Sequence, residues 1–173
     1  EMADMLRFAV DFPHPVALRY PRGAAYEGMK EFRAPVVYGK SEVLYDEKEI
    51  AVIFVGHMAE LADQVRKEIK NAGYSCSLVN ARFVKPVDTE LLDRLAENHR
   101  LFVTIEENVL IGGYGEQVTE YASSARLPVY VRNIGIPDEY VEHGNTDILR
   151  REVGLDSSRI AEQAVKDYLM IKG

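Results

Sequence analysis

The chain has 173 residues, of which 47% are hydrophobic and 28% charged, which is typical of one globular domain with room for part of a second. Its formal net charge of −7 at pH 7 argues against general binding to nucleic acid or to anionic membranes, because both need a basic surface. An internal disulfide is excluded, since Cys76 is the only cysteine.

The first 35 residues predict one helix, one short strand and a linker. Apolar residues recur at helical spacing over residues 2–10 and predict an amphipathic helix, which Pro13 and Pro15 end. Residues 16–20 predict a short strand. Residues 24–35 have mixed charges and no strong periodicity, so we interpret them as a linker.

From residue 36 onward, predicted strands alternate with predicted helices. The strands are 39–45, 50–56, 74–81, 101–106 and 129–134, and the helices are 59–72, 88–98, 114–125, 146–153 and 157–171. Residues 50–56 form a continuous apolar run, which is typical of a strand buried on both faces. The alternation predicts an α/β domain with a largely parallel sheet and helices on both faces.

Two features of the sequence bear on the location of the protein. Residues 1–12 are charged and lack the apolar core of a signal peptide. The apolar run at residues 50–55 is far too short to span a bilayer. The sequence therefore predicts a cytoplasmic protein.

Two arginines follow predicted strands and are candidates for binding an anion. Arg19 ends the strand at residues 16–20, and the turn that follows places Arg19 and Arg22 on a rim. Arg82 follows the strand at residues 74–81, at its carboxyl end, where open parallel sheets bind their ligands. A planar guanidinium suits bidentate capture of phosphate. For either arginine taken alone, a solvated or salt-bridged loop residue is the alternative.

The other polar motifs carry weaker signals. Residues 112–115, with the sequence GGYG, stand between a strand and a helix like a phosphate cradle, but they match neither the dinucleotide fingerprint nor the P-loop. Tight packing of strand against helix explains them equally well. Asp88 is interpreted as a helix cap. His143 could be an acid–base group or a structural hydrogen-bonding residue, and the structural role is favoured. His57 and His99 belong to no recognisable constellation.

Taken in order, six short strings resemble one known family. RYPRG, NARFVKPVD, EEN with GGYG, IGIPD, VEHG and GLD resemble the C-terminal half of the 1-deoxy-D-xylulose-5-phosphate synthase family. The resemblance runs from about Pro15 to the C-terminal helix, and RYPRG and RFVKPVD are its specific parts. Tyr114 is a departure, since the glycine turn of the family more often has a small residue there. More distantly, the domain is similar to the C-terminal domains of transketolase and of the pyruvate dehydrogenase β subunit.

The resemblance implies a fold and a division of the chain. The fold is a three-layer α/β/α domain with a five-stranded, mostly parallel sheet in which residues 39–45 form one antiparallel strand. Residues 1–23 would be the tail end of a preceding pyrimidine-binding domain. Residues 24–35 would be the linker, and residues 36–173 the transketolase-like C-terminal domain.

The resemblance also implies that the full-length enzyme is a cytoplasmic homodimer, and it implies a reaction for that enzyme. That enzyme joins pyruvate to D-glyceraldehyde 3-phosphate, releases CO2 and makes 1-deoxy-D-xylulose 5-phosphate, with thiamine diphosphate and Mg2+ as cofactors. Arg19 and Arg82 match the two arginines with which the family holds the acceptor phosphate. The diphosphate and Mg2+ site and the glutamate for the aminopyrimidine lie in earlier domains. This segment is therefore expected to hold no catalytic, cofactor or metal residue and to be inactive alone.

Two alternatives stay open at this stage. The chain could be the corresponding domain of another transketolase-like enzyme, namely a transketolase or a 2-oxoacid dehydrogenase β subunit. It could also be a stand-alone module that binds phosphorylated metabolites. The identity of the acceptor separates the synthase from the other enzymes, whereas a cofactor motif in the upstream reading frame would argue against the module.

Overall fold

The computed structural model describes residues 1–21 and 26–172. Its helices are α1 (Met2–Asp11), α2 (Ala59–Asn71), α3 (Thr89–Ala96), α4 (Tyr114–Ser124), α5 (Thr146–Glu152) and α6 (Ser157–Lys172). Its strands are β1 (Glu42–Tyr45), β2 (Glu49–Phe54), β3 (Cys76–Asn80), β4 (His99–Val109) and β5 (Tyr130–Ile136). Each strand and helix predicted after residue 36 is present. Arg22, Gly23 and the first two residues of the predicted linker lie outside the described residues.

The five strands form one mixed sheet in the order β1-β3-β2-β4-β5. β2, β3, β4 and β5 are parallel, and β1 pairs antiparallel with β3, as the resemblance implied. In the register of the sheet, Phe54 lies beside Asn80 on one side and Ile105 on the other. The residues that follow these three positions therefore meet at the carboxyl edge of the sheet, where parallel sheets bind ligands.

Helices cover both faces of the sheet, which confirms the three-layer α/β/α prediction. Along β2, Ile50, Val52 and Phe54 pack with α2 and α6, whereas Ala51 and Ile53 pack with α3 and α4. Side chains alternate between the two faces of a strand, so a continuous apolar run serves both layers at once. In the described part of the chain, no helix is both long and apolar enough to cross a membrane.

The amino edge of the sheet contains a neutral buried network around His99. His99 is 1% exposed, and its ring nitrogens lie 2.7 Å from the carbonyl oxygen of Leu95 and 2.8 Å from Oγ of Ser77. A carbonyl oxygen only accepts, so Nδ1 carries the proton and Nε2 accepts from Ser77. The same Oγ accepts the backbone N–H of Glu47 at 2.7 Å. Burial lowers the pKa of His99, so the ring is held neutral.

Asp88 connects α3 to the first strand. One of its carboxylate oxygens accepts the backbone N–H of Leu91 at 3.3 Å, which confirms the predicted helix cap. The other oxygen accepts the backbone N–H of Ser41 at 2.9 Å. The cap therefore also holds the residue that precedes β1.

α1 lies against the rest of the domain through aromatic side chains. The ring of Phe8 packs edge-on against Phe83 with centroids 5.6 Å apart, and Phe12 stacks on Tyr38 at 4.7 Å. Aromatic pairs at these separations are favourable beyond the area that they bury. The helix predicted at residues 2–10 is thus confirmed, and it packs against Tyr38 and Phe83.

The strand predicted at residues 16–20 is wrong for this structure. No strand is assigned there, and no backbone hydrogen bond joins these residues to the described part of the chain. A strand needs a neighbouring strand to accept and donate its backbone hydrogen bonds. The assignment of residues 1–23 to the tail end of a preceding pyrimidine-binding domain stays a prediction.

Candidate functional site

Arg82 stands at the carboxyl end of β3 in an uncommon backbone conformation. Its φ is 55°, in the left-handed region that non-glycine residues seldom adopt. The backbone N–H of Arg82 donates to Oδ1 of Asn80 at 3.1 Å, which helps to hold this conformation. Strained backbone that the surroundings fix in this way occurs often at functional sites.

The Arg82 guanidinium joins four parts of the chain. Nε donates to Oε1 of Glu1 at 3.0 Å, and Nη1 donates to the carbonyl of Pro35 at 3.1 Å. Nη2 donates to the carbonyl of Ala34 at 3.0 Å and to the carboxylate of Glu42. The side chain is only 4% exposed. Arg82 therefore binds α1, the segment before β1, and β1 itself to the end of β3.

The position of Glu42 follows from the sheet register. β1 runs antiparallel to β3, and its first residue, Glu42, lies directly beside Asn80. The strand that runs against the others thus brings a carboxylate to the edge where Arg82 emerges. The other oxygen of Glu42 accepts the backbone N–H of Ala34 at 2.8 Å. Both charges are buried, so each one depends on the other for compensation.

Arg19 occupies a more open place on the same edge. Its Nη2 donates to the backbone carbonyl of Glu107 at 3.0 Å, and the side chain is exposed. Glu107 belongs to β4, past the position that pairs with the end of β2. β2 separates β4 from β3, so the strand that Arg19 contacts and the strand that Arg82 follows lie about 10 Å apart. Their hydrogen bonds within the described residues have no partner in common.

A second charged cluster surrounds the Glu107 carboxylate. Oε2 lies in hydrogen-bonding contact with Nε2 of His57, and Oε1 accepts from Nε of Arg150 at 2.7 Å. Burial works against the charged form, but the hydrogen bond from Arg150 and the charge of His57 outweigh it and lower the pKa of Glu107. The prediction that His57 belongs to no constellation is therefore wrong. Its partners lie 50 and more residues away in sequence, and only the fold brings them together.

The glycine turn is filled by the protein's own carboxylates. Glu106 accepts the backbone N–H groups of Tyr114 and Gly115 at 2.9 and 2.8 Å, and Glu116 accepts that of Gly112. A Cβ at Gly113 would lie 2.6 Å from Oε1 of Glu106. These contacts favour the packing interpretation over the phosphate cradle, because the amides that would face a phosphate are already bonded.

Tyr114, which we interpreted as a departure from the glycine turn of the family, is part of the core. Its side chain is 2% exposed and packs with Leu92, Leu95 and Phe102 between the sheet and α3. Burial raises the pKa of its hydroxyl. The bulky ring therefore fills space beneath the helix that begins at this turn.

The surroundings of His143 support neither of the two roles considered for it, an acid–base group or a structural hydrogen-bonding residue. Its side chain is exposed, and it makes no side-chain hydrogen bond within residues 1–21 and 26–172. It therefore lacks both the structural hydrogen bond that was favoured and an acid–base partner there. Lys85, on the turn after Arg82, is likewise exposed.

Comparison with protein families matches residues 39–160 to the family described as "Transketolase, C-terminal domain". The match covers β1 to β5, and it includes Arg82, Glu107 and Arg150 but neither Arg19 nor Glu1. The matched region thus contains the sheet and both of the helical layers.

Comparison with individual proteins gives longer alignments. A 1-deoxy-D-xylulose-5-phosphate synthase of Lachnoclostridium phytofermentans is 40% identical over 99% of this chain, and that of Methylacidiphilum infernorum is 38% identical over 96%. The chain spans 28% and 26% of the length of these two relatives. Among solved structures, a split-gene transketolase described as an inactive β4 tetramer has 28% identity and a TM-score of 0.74. That match covers 81% of this chain and 45% of the other.

Proposed function

We propose that this chain, which belongs to the transketolase C-terminal domain family, is the C-terminal domain of a 1-deoxy-D-xylulose-5-phosphate synthase. Such an enzyme condenses pyruvate with D-glyceraldehyde 3-phosphate and releases CO2. The observation that carries the proposal is the 40% identity over 99% of the chain. The 28% identity to the split-gene transketolase keeps a transketolase acting on another acceptor as the second candidate.

In this proposal the domain recognises the phosphate of the acceptor through Arg19 and Arg82. Both residues lie at the carboxyl edge of the sheet, and neither one needs to change its protonation state to bind an anion. Arg19 is exposed and has one hydrogen bond to the protein's own backbone. Arg82 is already paired, so a phosphate has to take the place of one of its present partners.

The cofactors that the family resemblance implies are thiamine diphosphate and Mg2+. Among residues 1–21 and 26–172, no group of three or more His, Cys, Asp or Glu side chains could hold a metal ion. The amides of the glycine turn are taken by Glu106 and Glu116. On the family resemblance, we assign both cofactors to other parts of the full-length protein. Calorimetric titration of this chain with both should give no specific heat, and stoichiometric binding would contradict that assignment.

The proposal is tested with the complete reading frame that contains this chain. Purified protein supplied with thiamine diphosphate, Mg2+, pyruvate and D-glyceraldehyde 3-phosphate should release CO2 and form 1-deoxy-D-xylulose 5-phosphate, measured by mass spectrometry of the product. Omission of pyruvate should abolish product formation. Transfer of a two-carbon unit from a ketose phosphate, without decarboxylation of pyruvate, would support the transketolase candidate instead.

The proposal also includes a cytoplasmic homodimer. Light scattering coupled to size-exclusion chromatography measures the mass of the full-length protein and tests the dimer.

A phosphometabolite-binding module without enzyme activity is the remaining alternative. Binding of glyceraldehyde 3-phosphate by a full-length protein that turns over neither substrate set would favour it.

A further inference from the structure

Two side-chain donors at the end of β3 converge on one carboxylate oxygen. Oε1 of Glu1 accepts Nδ2–H of Asn80 at 2.7 Å and Nε–H of Arg82 at 3.0 Å. One donor is an amide and the other is charged, and both come from the carboxyl edge of the sheet. Two N–H groups that meet at one anionic oxygen form an oxyanion-binding pair. In this structure the protein's own Glu1 occupies it.

The orientation of the Asn80 amide is fixed by the backbone beside it. Oδ1 of Asn80 accepts the backbone N–H of Arg82 at 3.1 Å. A backbone N–H only donates, so the oxygen of the amide must face Arg82 and the NH2 group must face Glu1. Asn80 is buried, and its amide cannot be turned without breaking this contact. Its donor is therefore aimed at the anion before any ligand arrives.

Among the described residues, Nε of Arg82 is hydrogen-bonded to Glu1 alone. Nη1 and Nη2 bond to Glu42 and to the carbonyls of Ala34 and Pro35, which hold the plane of the group. Glu42 is buried, whereas the Glu1 side chain is 40% exposed. An anion can thus reach Nε by displacing one exposed side chain, while the partners on the far side stay in place.

We propose that Asn80 is a further ligand of the acceptor phosphate. Its Nδ2 and Nε of Arg82 bind one phosphate oxygen together, in the place that the Glu1 carboxylate takes when no substrate is present. This inference rests on the proposed function, because it assigns Arg82 to that phosphate. It adds a neutral, fixed donor to a site otherwise described by its arginines, and it makes Glu1 a competitor of the substrate.

The test uses the full-length enzyme with the substitution Asn80→Asp. An aspartate keeps the oxygen that accepts the Arg82 backbone N–H, but it replaces the donor with a second oxygen that repels phosphate. The KM for glyceraldehyde 3-phosphate should rise about tenfold or more, which corresponds to about 1.4 kcal/mol per decade, with kcat little changed. The KM for unphosphorylated glyceraldehyde should stay within about twofold, since that acceptor has no phosphate to bind.

Two further variants separate the local effect from a general one. Asn98→Asp adds the same charge at an exposed position on the amino edge of the sheet, just before β4, and should leave both KM values as they are. Glu1→Gln removes the charge of the competing side chain and should lower the KM for the phosphorylated acceptor. Because Glu1 is partly exposed, this variant also tests the inference if Asn80→Asp folds poorly.

The outcomes distinguish this inference from the proposed function. If Arg82→Ala harms only the phosphorylated acceptor and the Asn80 and Glu1 variants change nothing, the Asn80 assignment is overturned and the proposed function stands. If Asn80→Asp raises both KM values equally, Asn80 has a structural role only. If the wild-type enzyme does not use glyceraldehyde 3-phosphate at all, the proposed function fails, and the inference fails with it.

Discussion

The two edges of the sheet bury polar groups in opposite ways. At the carboxyl edge, Arg82 is enclosed with Glu42 and Glu1, and its charge is retained by ion pairs. At the amino edge, His99 is enclosed with Ser77 and Leu95, and burial keeps it neutral. A neutral network whose donors and acceptors are all hydrogen-bonded has no group left to bind a ligand. A buried charge with one exposed partner can exchange that partner for a ligand, so the comparison points to the carboxyl edge as the binding edge.

The largest expected effect is a loss of stability when Arg82 is removed and its ion pairs with Glu42 and Glu1 are lost. Arg82→Ala leaves the buried Glu42 carboxylate without its countercharge, so the free energy of unfolding of this chain should fall by about 3–5 kcal/mol. Urea unfolding followed by circular dichroism measures the loss. The double variant Arg82→Ala, Glu42→Gln should regain part of it, because no buried charge is left uncompensated. A fall of less than about 1 kcal/mol for Arg82→Ala would show that the pair is solvated.

The second effect concerns the use of the acceptor by the full-length enzyme. Arg82→Ala should weaken the use of glyceraldehyde 3-phosphate by about tenfold or more, since a charge-assisted hydrogen bond contributes about 1.5–3 kcal/mol. Reaction with unphosphorylated glyceraldehyde should suffer far less. Arg82→Lys should recover only part of the loss, because an ammonium lacks the planar fork. An equal loss with both aldehydes would make Arg82 a structural residue.

The third effect is the pH dependence of stability that the neutral His99 at the amino edge of the sheet should cause. The unfolded chain binds a proton at His99 near pH 6.5, whereas the folded chain resists it because burial lowers the pKa. The stability that this neutral histidine provides is therefore complete above about pH 6.5 and is lost as the pH falls toward the lowered value. Urea unfolding at pH 8 and pH 5 should show a smaller loss in His99→Gln than in the wild type. Equal losses would mean that His99 titrates normally in the folded protein.

The smallest expected effect is that of Arg19→Ala on stability. Arg19 is exposed and makes one hydrogen bond to a backbone carbonyl, so the free energy of unfolding should change by no more than about 0.5 kcal/mol. The same substitution in the full-length enzyme should still weaken binding of the phosphorylated acceptor. A large loss of stability would show that residues 16–20 are held to the domain more firmly than this contact indicates.

The sequence predicts the layers of the fold well because its periodicities are local. The apolar run at residues 50–56 and the cap at Asp88 each depend on a few neighbours, and both predictions are confirmed. The strand at residues 16–20 was a local pattern as well, but a strand depends on a partner that the pattern does not contain.

The candidate site was predicted only in part, because most of its contacts join residues that are far apart in the sequence. Arg82 could be found because it follows a strand directly. Glu42 reaches it only through the antiparallel register of β1, and Glu1 lies 81 positions away. The cluster of His57, Glu107 and Arg150 likewise joins three separate elements. Neither spacing nor composition encodes such contacts.

The buried ring of Tyr114 has an optical consequence. The chain has ten tyrosines, six phenylalanines and no tryptophan, so tyrosine dominates its near-ultraviolet absorbance. A phenol in water ionises with a pKa of about 10. Tyr114 and Tyr168 are both buried, which raises the pKa of each hydroxyl, so both should stay protonated until the domain opens. The delayed appearance of their phenolate absorbance therefore makes these two residues built-in reporters of unfolding on the two faces of the sheet, with no label attached.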